Sequence, residues 1–555
     1  MKKIPIGISD FKKLVSEKYY FVDKSPLIKE ILEDGSEVIL LPRPRRFGKT
    51  INMSMLKYFF EKTDEDNSFL FKDLNIYKHK NSMENQGKYP VIYISFKDLK
   101  DKDFNKCYEK IKDLISEQYD RFSYVVEKLS EVDKIYYNDI LFKKASQAQY
   151  EASIKNLSKF LCKYYETKVI MLMDEYDVPI QSAYLNDYYE DIIEFMRNFL
   201  SGGVKDNEYL AKAVMTGILR IAKESIFSGL NNISVYSILK NKYSSYFGFS
   251  EKEIEEIFQY YKVEFKLDEV KSWYNGYVFG ENIIYNPWSI LNYVNNWDEG
   301  LQPYWINTSS NDLVKKLITK GGQQLKSELE DLVQNKIISK EINENIEMKE
   351  IDKSTENVWS FLLLSGYLKT VKKNRKADGR LVCDLAVPNL EVKYLYNEII
   401  MSWFKETLNN DRFNFMLESL IRGDIKTFGK ILKDFVLSSV SYFDVGGRES
   451  EKVYHAFVLG MLVALSEDYE VKSNRESGYG RYDVMIIPRD INKIGIIMEF
   501  KKVDRDEGED LKKAAEEGLK QIEEKQYKQE LIARGIKNII EVGIAFEGKD
   551  VMLMS

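Results

Sequence analysis

LLPRPRRFGKTINMS, residues 40–54, decides how the front half of this sequence is read. It runs from an apolar stretch, past Pro42, Arg43, Pro44, Arg45 and Arg46, into Gly48-Lys49-Thr50 and then into helical spacing. The spacing is that of G-x-x-x-x-G-K-[ST], a loop whose backbone N–H groups wrap phosphate oxygens, with Arg43 where the first glycine is usual. Strand, loop and amphipathic helix are the context such a loop requires, because unpaired N–H groups and the helix dipole both favour an anion there. Lys49 is placed to reach the terminal phosphates of ATP, and Thr50 to hold Mg2+. Gly48 matters most, since a side chain there would crowd the phosphate. The first-glycine position lies at the loop's entrance, where Pro42 and Pro44 can fix the path by stiffness.

A second stretch completes the pattern. KVIMLMDEYD, residues 168–177, is an apolar strand that stops at Asp174-Glu175. A carboxylate at that point can hold the outer shell of the magnesium, and the next glutamate can orient an attacking water. Alone, Asp-Glu at a strand end is a solvated turn. Downstream of the glycine-rich loop it reads as the other half of a nucleotide site.

Around these motifs the chain alternates. Residues 35–42, 88–96, 167–174 and 209–217 read as buried strands separated by helical stretches, which predicts a parallel α/β sheet with crossover helices. From about 236 to 440 the pattern is mostly helical, with two exceptions. Residues 273–294 are aromatic-rich, with turn signals at Asn275-Gly276 and Asn286-Pro287. Residues 355–389 read as helix, strand, Asp378-Gly379 hairpin and strand, the shape of a winged-helix wing. From about 445 the α/β pattern returns, with a helix over 451–465, strands over 482–487 and 494–503, and a long helix over 509–533. The expected division is 1–235, a helical lid or connector over 236–350, a winged-helix-like and helical region over 351–440, and 445–555.

Composition narrows the class. At 555 residues more than one core is expected. No apolar run suits a signal peptide or approaches the roughly 20 residues a bilayer needs, so no membrane partner is expected. Cys107, Cys162 and Cys383 are scattered and odd in number, which suits a reducing, cytoplasmic compartment rather than a disulfide framework or zinc site. The formal charge of −6 excludes a uniformly basic nucleic-acid coat and leaves only local patches for such contacts.

Residues 6–32, RPRRFGKT, MDEYD and VMTGILRIAKESIFSGLNNI together resemble the AAA-ATPase-like family, P-loop proteins often fused to a C-terminal nuclease-like domain. The resemblance covers roughly residues 4–235, and WYNGYVFG with YNPWSI continues it. It implies that Arg-Pro-Arg-Arg-Phe-Gly-Lys-Thr is the normal form of this loop, with nucleotide contacts from Arg46, Phe47, Gly48, Lys49 and Thr50 and from Asp174. Glu175 is the implied catalytic residue. Asp23 and Lys24 flank the pocket, Thr216 falls where a polar sensor would feel the terminal phosphate, and Arg220 is an arginine finger, a sensor or a structural ion-pair partner.

The C-terminal constellation lies in SNRESGYGRYDVMIIPRDINKIGIIMEFKKVD, residues 473–504. Asp483 opens one strand; Glu499 and Lys501 lie two apart on the next, so both leave one face while Phe500 turns to the core. Charges at alternate positions of an apolar strand either line a solvated edge or form a site. The site they would form is that of the PD-(D/E)xK nuclease fold, which this stretch resembles over about 445–550. Asp483 and Glu499 would hold Mg2+ or Mn2+, and Lys501 would orient or help deprotonate the attacking water. Glu451, on the preceding helix, is the implied third acidic ligand. Gln521 and Lys525, four apart on one helix face, would meet substrate phosphates.

The fold class expected is therefore α/β: an N-terminal P-loop NTPase parallel sheet, a mostly helical middle with a winged-helix-like module, and a C-terminal PD-(D/E)xK nuclease-like α/β domain. The function expected is an ATP-binding and ATP-hydrolysing protein that controls a metal-dependent nuclease, with DNA ahead of RNA as substrate and a homo-oligomer admitted. The alternative is a switch-type regulatory ATPase whose C-terminal fold binds nucleic acid without cutting.

Overall fold

The computed structural model describes the chain except at residues 220–231, 264–266, 307–310, 334, 347, 408–409, 439–457, 459–460, 463–464, 466–467, 478–479, 504–509 and 548–549. It divides into two compact units, Met1–Leu317 with Ser339–Val392, and Ile318–Ile338 with Lys393–Ser555.

The first unit is built on five strands: β1 (Val38–Pro42), β2 (Val91–Ser95), β3 (Val169–Asp174), β4 (Leu210–Gly217) and β5 (Ile233–Val235). They run parallel in the order β2-β3-β4-β1-β5. Every residue of β1 and β3 is buried. That is why both segments read as unbroken apolar runs, since strands inside a parallel sheet are covered on both faces. The helices Ser153–Tyr165 and Tyr189–Val204 pack together, each burying one stripe, such as Ile154, Leu157 and Leu161 on the first. Register places Leu41 beside Thr216 and Met173 beside Met215. Pro42, Asp174 and Thr216 therefore gather at the C-terminal edge of the sheet, where ligand crevices form in open α/β sheets.

The chain beyond β5 continues the same unit. A reciprocal cap between Ser250 and Glu253 opens the helix Glu251–Tyr261. A short hairpin follows, β6 (Tyr277–Phe279) with β7 (Asn282–Ile284). The helix Pro287–Asn295 then starts at Asn286, whose side chain accepts from the N–H groups of Trp288 and Ser289, with proline at the first helical position. The two helices share a core that includes Ile254, Ile257, Phe258, Ile290 and Tyr293. A three-stranded sheet has the order β8-β10-β9, made of β8 (Ile338–Glu341), β9 (Lys369–Arg375) and β10 (Leu381–Ala386). Its β9–β10 hairpin turns at Asp378-Gly379, with Gly379 at φ +87.

The second unit carries β11 (Tyr469–Ser477), β12 (Gly480–Pro488), β13 (Gly495–Lys502), β14 (Ile539–Glu547) and β15 (Asp550–Met554), side by side in that order. β13 and β14 run parallel; the other neighbours are antiparallel. β13 is thus the central strand, which removes the solvated-edge reading of Glu499 and Lys501. The single helix expected over 509–533 is two helices, Leu511–Glu524 and Gln529–Ala533, separated by Gln526 in the left-handed region at φ +55. The first helix lies hard against the sheet. A Cβ on Gly518 would be 3.3 Å from the Glu499 carbonyl, and one on Gly543 would overlap the Ala515 carbonyl oxygen. Among the described residues no helix is long and apolar enough to cross a membrane.

Candidate functional site

Gly48 caps the helix Lys49–Phe60 at φ +84, and Arg46 sits two residues earlier at φ +68. Left-handed residues of this kind curl a loop into a concavity that gathers N–H groups for an anion. For Arg46 the conformation costs on the order of 1 kcal/mol, strain of the sort held at functional sites. The buried Lys49 Nζ donates to the carbonyls of Arg43 and Pro44, both at 3.1 Å. Burial lowers the Lys49 pKa, while Glu175, Asp174 and Asp177 pull it the other way.

Asp174 is fully buried at the end of β3. Its Oδ1 accepts from Thr216 Oγ1 on the neighbouring strand at 2.5 Å, and its Oδ2 is buried without a hydrogen-bond partner. Burial raises the Asp174 pKa, with the Thr216 and Thr50 hydroxyls and Lys49 opposing. A buried carboxylate oxygen with unspent lone pairs, beside a threonine hydroxyl, fits a hard cation such as Mg2+. Glu175, at φ +53, brings its N–H to 3.4 Å from Thr216 Oγ1. A cavity of about 470 Å³ opens over the loop. Lys24, Arg45, Arg46, Lys49, Lys97 and Lys100 line it against Asp98 and Glu175, together with Tyr20, Phe21, Phe249, Trp288 and Leu291. Cations in excess with an apolar remainder suit a ligand that is a polyanion at one end and a flat ring at the other.

Arg43 plays no part in that cavity. It is fully buried, and its guanidinium donates to the carbonyls of Pro42 (2.7 Å), Tyr236 (2.6 Å) and Tyr243 (3.2 Å). The rings of Phe247 and Phe279 lie 4.9 and 5.6 Å from it. The arginine that replaces the first glycine is an anchor between the loop and residues 236–279.

In the second unit the β12–β13 ladder ends where Val484 faces Met498. One residue on, the Asp483 N–H reaches Glu499 Oε2 at 3.3 Å, and Asp483 Oδ2 takes the Phe500 N–H at 2.8 Å. Glu499 is only 3% exposed, and its Oε1 accepts from Gln521 Nε2. Gln521 Oε1 in turn accepts from Lys501 Nζ at 2.5 Å, and Gln521 Nε2 also lies 3.3 Å from Tyr527 Oη. Burial, with the nearby Glu499 and Asp483, raises the Tyr527 pKa. Asp483, Glu499, Lys501 and Gln521 thus form one hydrogen-bonded group at a fork between two strands. Its two carboxylates are the hard oxygen donors Mg2+ or Mn2+ takes. Among the described residues no cluster of three or more acidic, histidine or cysteine ligands occurs.

Residues 5–227 match the family described as "Predicted AAA-ATPase", and residues 449–555 match the "PD-(D/E)XK nuclease superfamily". The chain thus carries an AAA-ATPase-like domain over residues 5–227 and a PD-(D/E)xK nuclease-like domain over residues 449–555. It is also similar to an uncharacterized protein in the vnfD 5′ region of Azotobacter chroococcum mcd 1, 26% identical over 541 residues that cover 96% of this chain and 94% of that one.

In the ATPase-like domain, Arg46, Gly48, Lys49, Thr50 and Glu175 line the cavity, whereas Asp174 and Thr216 do not. Phe47 keeps its ring buried against Tyr277 and Phe279, which leaves its backbone for a phosphate. Lys24 lines the cavity and pairs with Glu253 at 2.7 Å; Asp23 instead takes the N–H groups of Ser25 and Asn75. Arg220 lies outside the described residues, as does Glu451 of the nuclease-like domain. Lys525 is the exposed C-cap residue of the helix that carries Gln521, and its N–H donates to the Gln521 carbonyl at 3.0 Å. Sequence reasoning missed Lys97 and Lys100, although they directly follow β2, at the edge of a parallel sheet where ligands bind. It also missed Asp177, a buried carboxylate that takes the N–H groups of Ile218 (2.9 Å) and Leu219 (3.1 Å) and so holds the turn after β4.

Proposed function

We propose that this protein is a nucleotide-controlled, metal-dependent nuclease. The observation that carries the reading is the Asp483–Glu499–Lys501–Gln521 group at the strand fork of a nuclease-superfamily domain. In this reading Asp483 and Glu499, with Glu451 as third ligand, hold Mg2+ or Mn2+. That metal supplies charge stabilisation at the scissile phosphate and an acidified water. Lys501 orients the water, and Gln521 fixes Glu499 and Lys501 relative to each other. Lys525, exposed beside Gly480, offers its ammonium to the substrate backbone. DNA is the substrate expected ahead of RNA.

ATP occupies the cavity of the first unit, with its phosphates on Arg46, Gly48, Lys49 and the Phe47 backbone. Thr50 and Asp174 hold Mg2+, Glu175 orients the hydrolytic water, Thr216 positions Asp174, and Arg220 acts as finger or sensor. Residues 1–235 bind nucleotide, 236–350 respond to it, and 351–440 lead to the nuclease-like domain. The net charge of −6 favours one rival, a regulatory ATPase whose C-terminal fold binds nucleic acid without cutting.

The test is cleavage of plasmid and single-stranded DNA with Mg2+ or Mn2+, with and without ATP, by wild type, Glu499→Ala and Lys49→Ala. Cutting lost in Glu499→Ala and altered in Lys49→Ala supports the nuclease. ATP hydrolysis without metal-dependent cutting by wild type supports the rival.

A further inference from the structure

Arg46 sends its charge into the cavity yet spends none of its donors on the protein. Its guanidinium lies 4.2 Å from the Trp288 ring, and among the described residues it makes no hydrogen bond or ion pair. Trp288 is half-buried, lines the same cavity, and lies outside the 5–227 match. Its position is not left to chance: the Asn286 side chain takes its N–H at 2.9 Å at the start of the helix Pro287–Asn295. The rest of the loop is tied to the same stretch of chain. The Gly248 N–H donates to the Phe47 carbonyl at 3.2 Å, and Asn52 donates to the Tyr246 carbonyl at 2.9 Å.

A guanidinium on an indole face is held by a non-directional attraction, weaker at an open site than a charge-assisted hydrogen bond to phosphate. Its five N–H donors stay available while it is stacked. A polyphosphate in the cavity would claim them. We propose that Trp288 competes with the nucleotide for Arg46: it parks the guanidinium on its indole and yields it when a nucleoside triphosphate enters. Residues 246–291 thereby register nucleotide occupancy. The proposal rests on the nucleotide reading above and assigns its first responding contact.

The experiment uses the full chain with Mg-ATP, following binding by calorimetry and tryptophan emission in parallel. Wild type is expected to bind and to change its emission. Trp288→Leu is expected to lose that change and to bind ATP about threefold more tightly, since nothing now holds Arg46 back; a tryptophan that merely walls the cavity would weaken binding when removed. Arg46→Gln is expected to bind about tenfold more weakly and to show no ATP-driven change, its emission starting at the ATP-bound value. Should Trp288→Leu fail to fold, Arg46→Gln decides. Calorimetric binding by wild type with an emission change that survives either substitution overturns the proposal, as does binding without any emission change. No calorimetric binding by wild type overturns the nucleotide reading itself, and this inference with it.

Discussion

Arg43 and Glu499 are both buried charges, and they teach opposite lessons about reading single residues. Arg43 is held by carbonyls 193 and 200 residues away in the chain. Nothing near it in sequence announces them, so the pattern shows only a missing glycine. Arg43→Ala is expected to destabilise the first unit by about 2–4 kcal/mol, because three carbonyls lose their donor in a dry site. Arg43→Gly, which restores the usual loop pattern, should be no better; thermal unfolding of both variants checks this. Glu499, by contrast, was legible. A carboxylate in an apolar strand, two residues before a lysine, is too costly to bury without a task. Glu499→Gln is expected to keep the fold while lowering cutting on the order of 100-fold or more, since the proposed metal ligand loses its charge.

Elements carry the next layer of control. The helix Leu511–Glu524 brings Gln521 to Glu499 only because Gly543 lets it rest on β14. Gly543→Ala puts a methyl group into the Ala515 carbonyl, and the helix must rise. The expected cost is about 1–3 kcal/mol in denaturant unfolding, with cutting lost through displacement of Gln521. In the first unit Glu391 joins distant elements: its carboxyl accepts from Ser289 Oγ at 2.9 Å and from the Trp305 N–H at 2.6 Å. Burial pushes its pKa up to about 8 despite those donors. A carboxyl with a raised folded pKa binds more protons folded than unfolded, so its contribution is whole below about 4.5 and is lost as pH rises through about 8. Wild type should therefore lose stability across that window, and Glu391→Gln should flatten the profile in thermal melts. Neither device was visible in sequence: Gly543 reads as a strand glycine and Glu391 as an ordinary first-turn acid.

For the whole molecule the question is what one site does to the other. On the proposed reading, in which both carboxylate sets hold a hard cation, chelating divalent metal is expected to abolish ATP hydrolysis and cutting together. Glu499→Ala should remove cutting and leave hydrolysis, and Lys49→Ala should remove hydrolysis and change the rate of cutting. Assays of both activities on the same preparations separate a controlled nuclease from two independent enzymes. An unchanged cutting rate in Lys49→Ala, with and without ATP, would end the coupling argument.

By itself the sequence determined the class of the sheets, the loop-and-helix joint at Gly48-Lys49-Thr50, the carboxylates at the end of β3, and the Asp483, Glu499 and Lys501 set. These follow from the order and periodicity of neighbouring residues and, for Asp483 beside Glu499 and Lys501, from the resemblance to the PD-(D/E)xK nuclease fold. Only the tertiary structure decided that Arg43 is an anchor, that Arg46 rests on Trp288, and that Gln521 bridges Glu499 and Lys501. Each depends on segments far apart in the chain meeting at close range, and local pattern carries no record of such meetings.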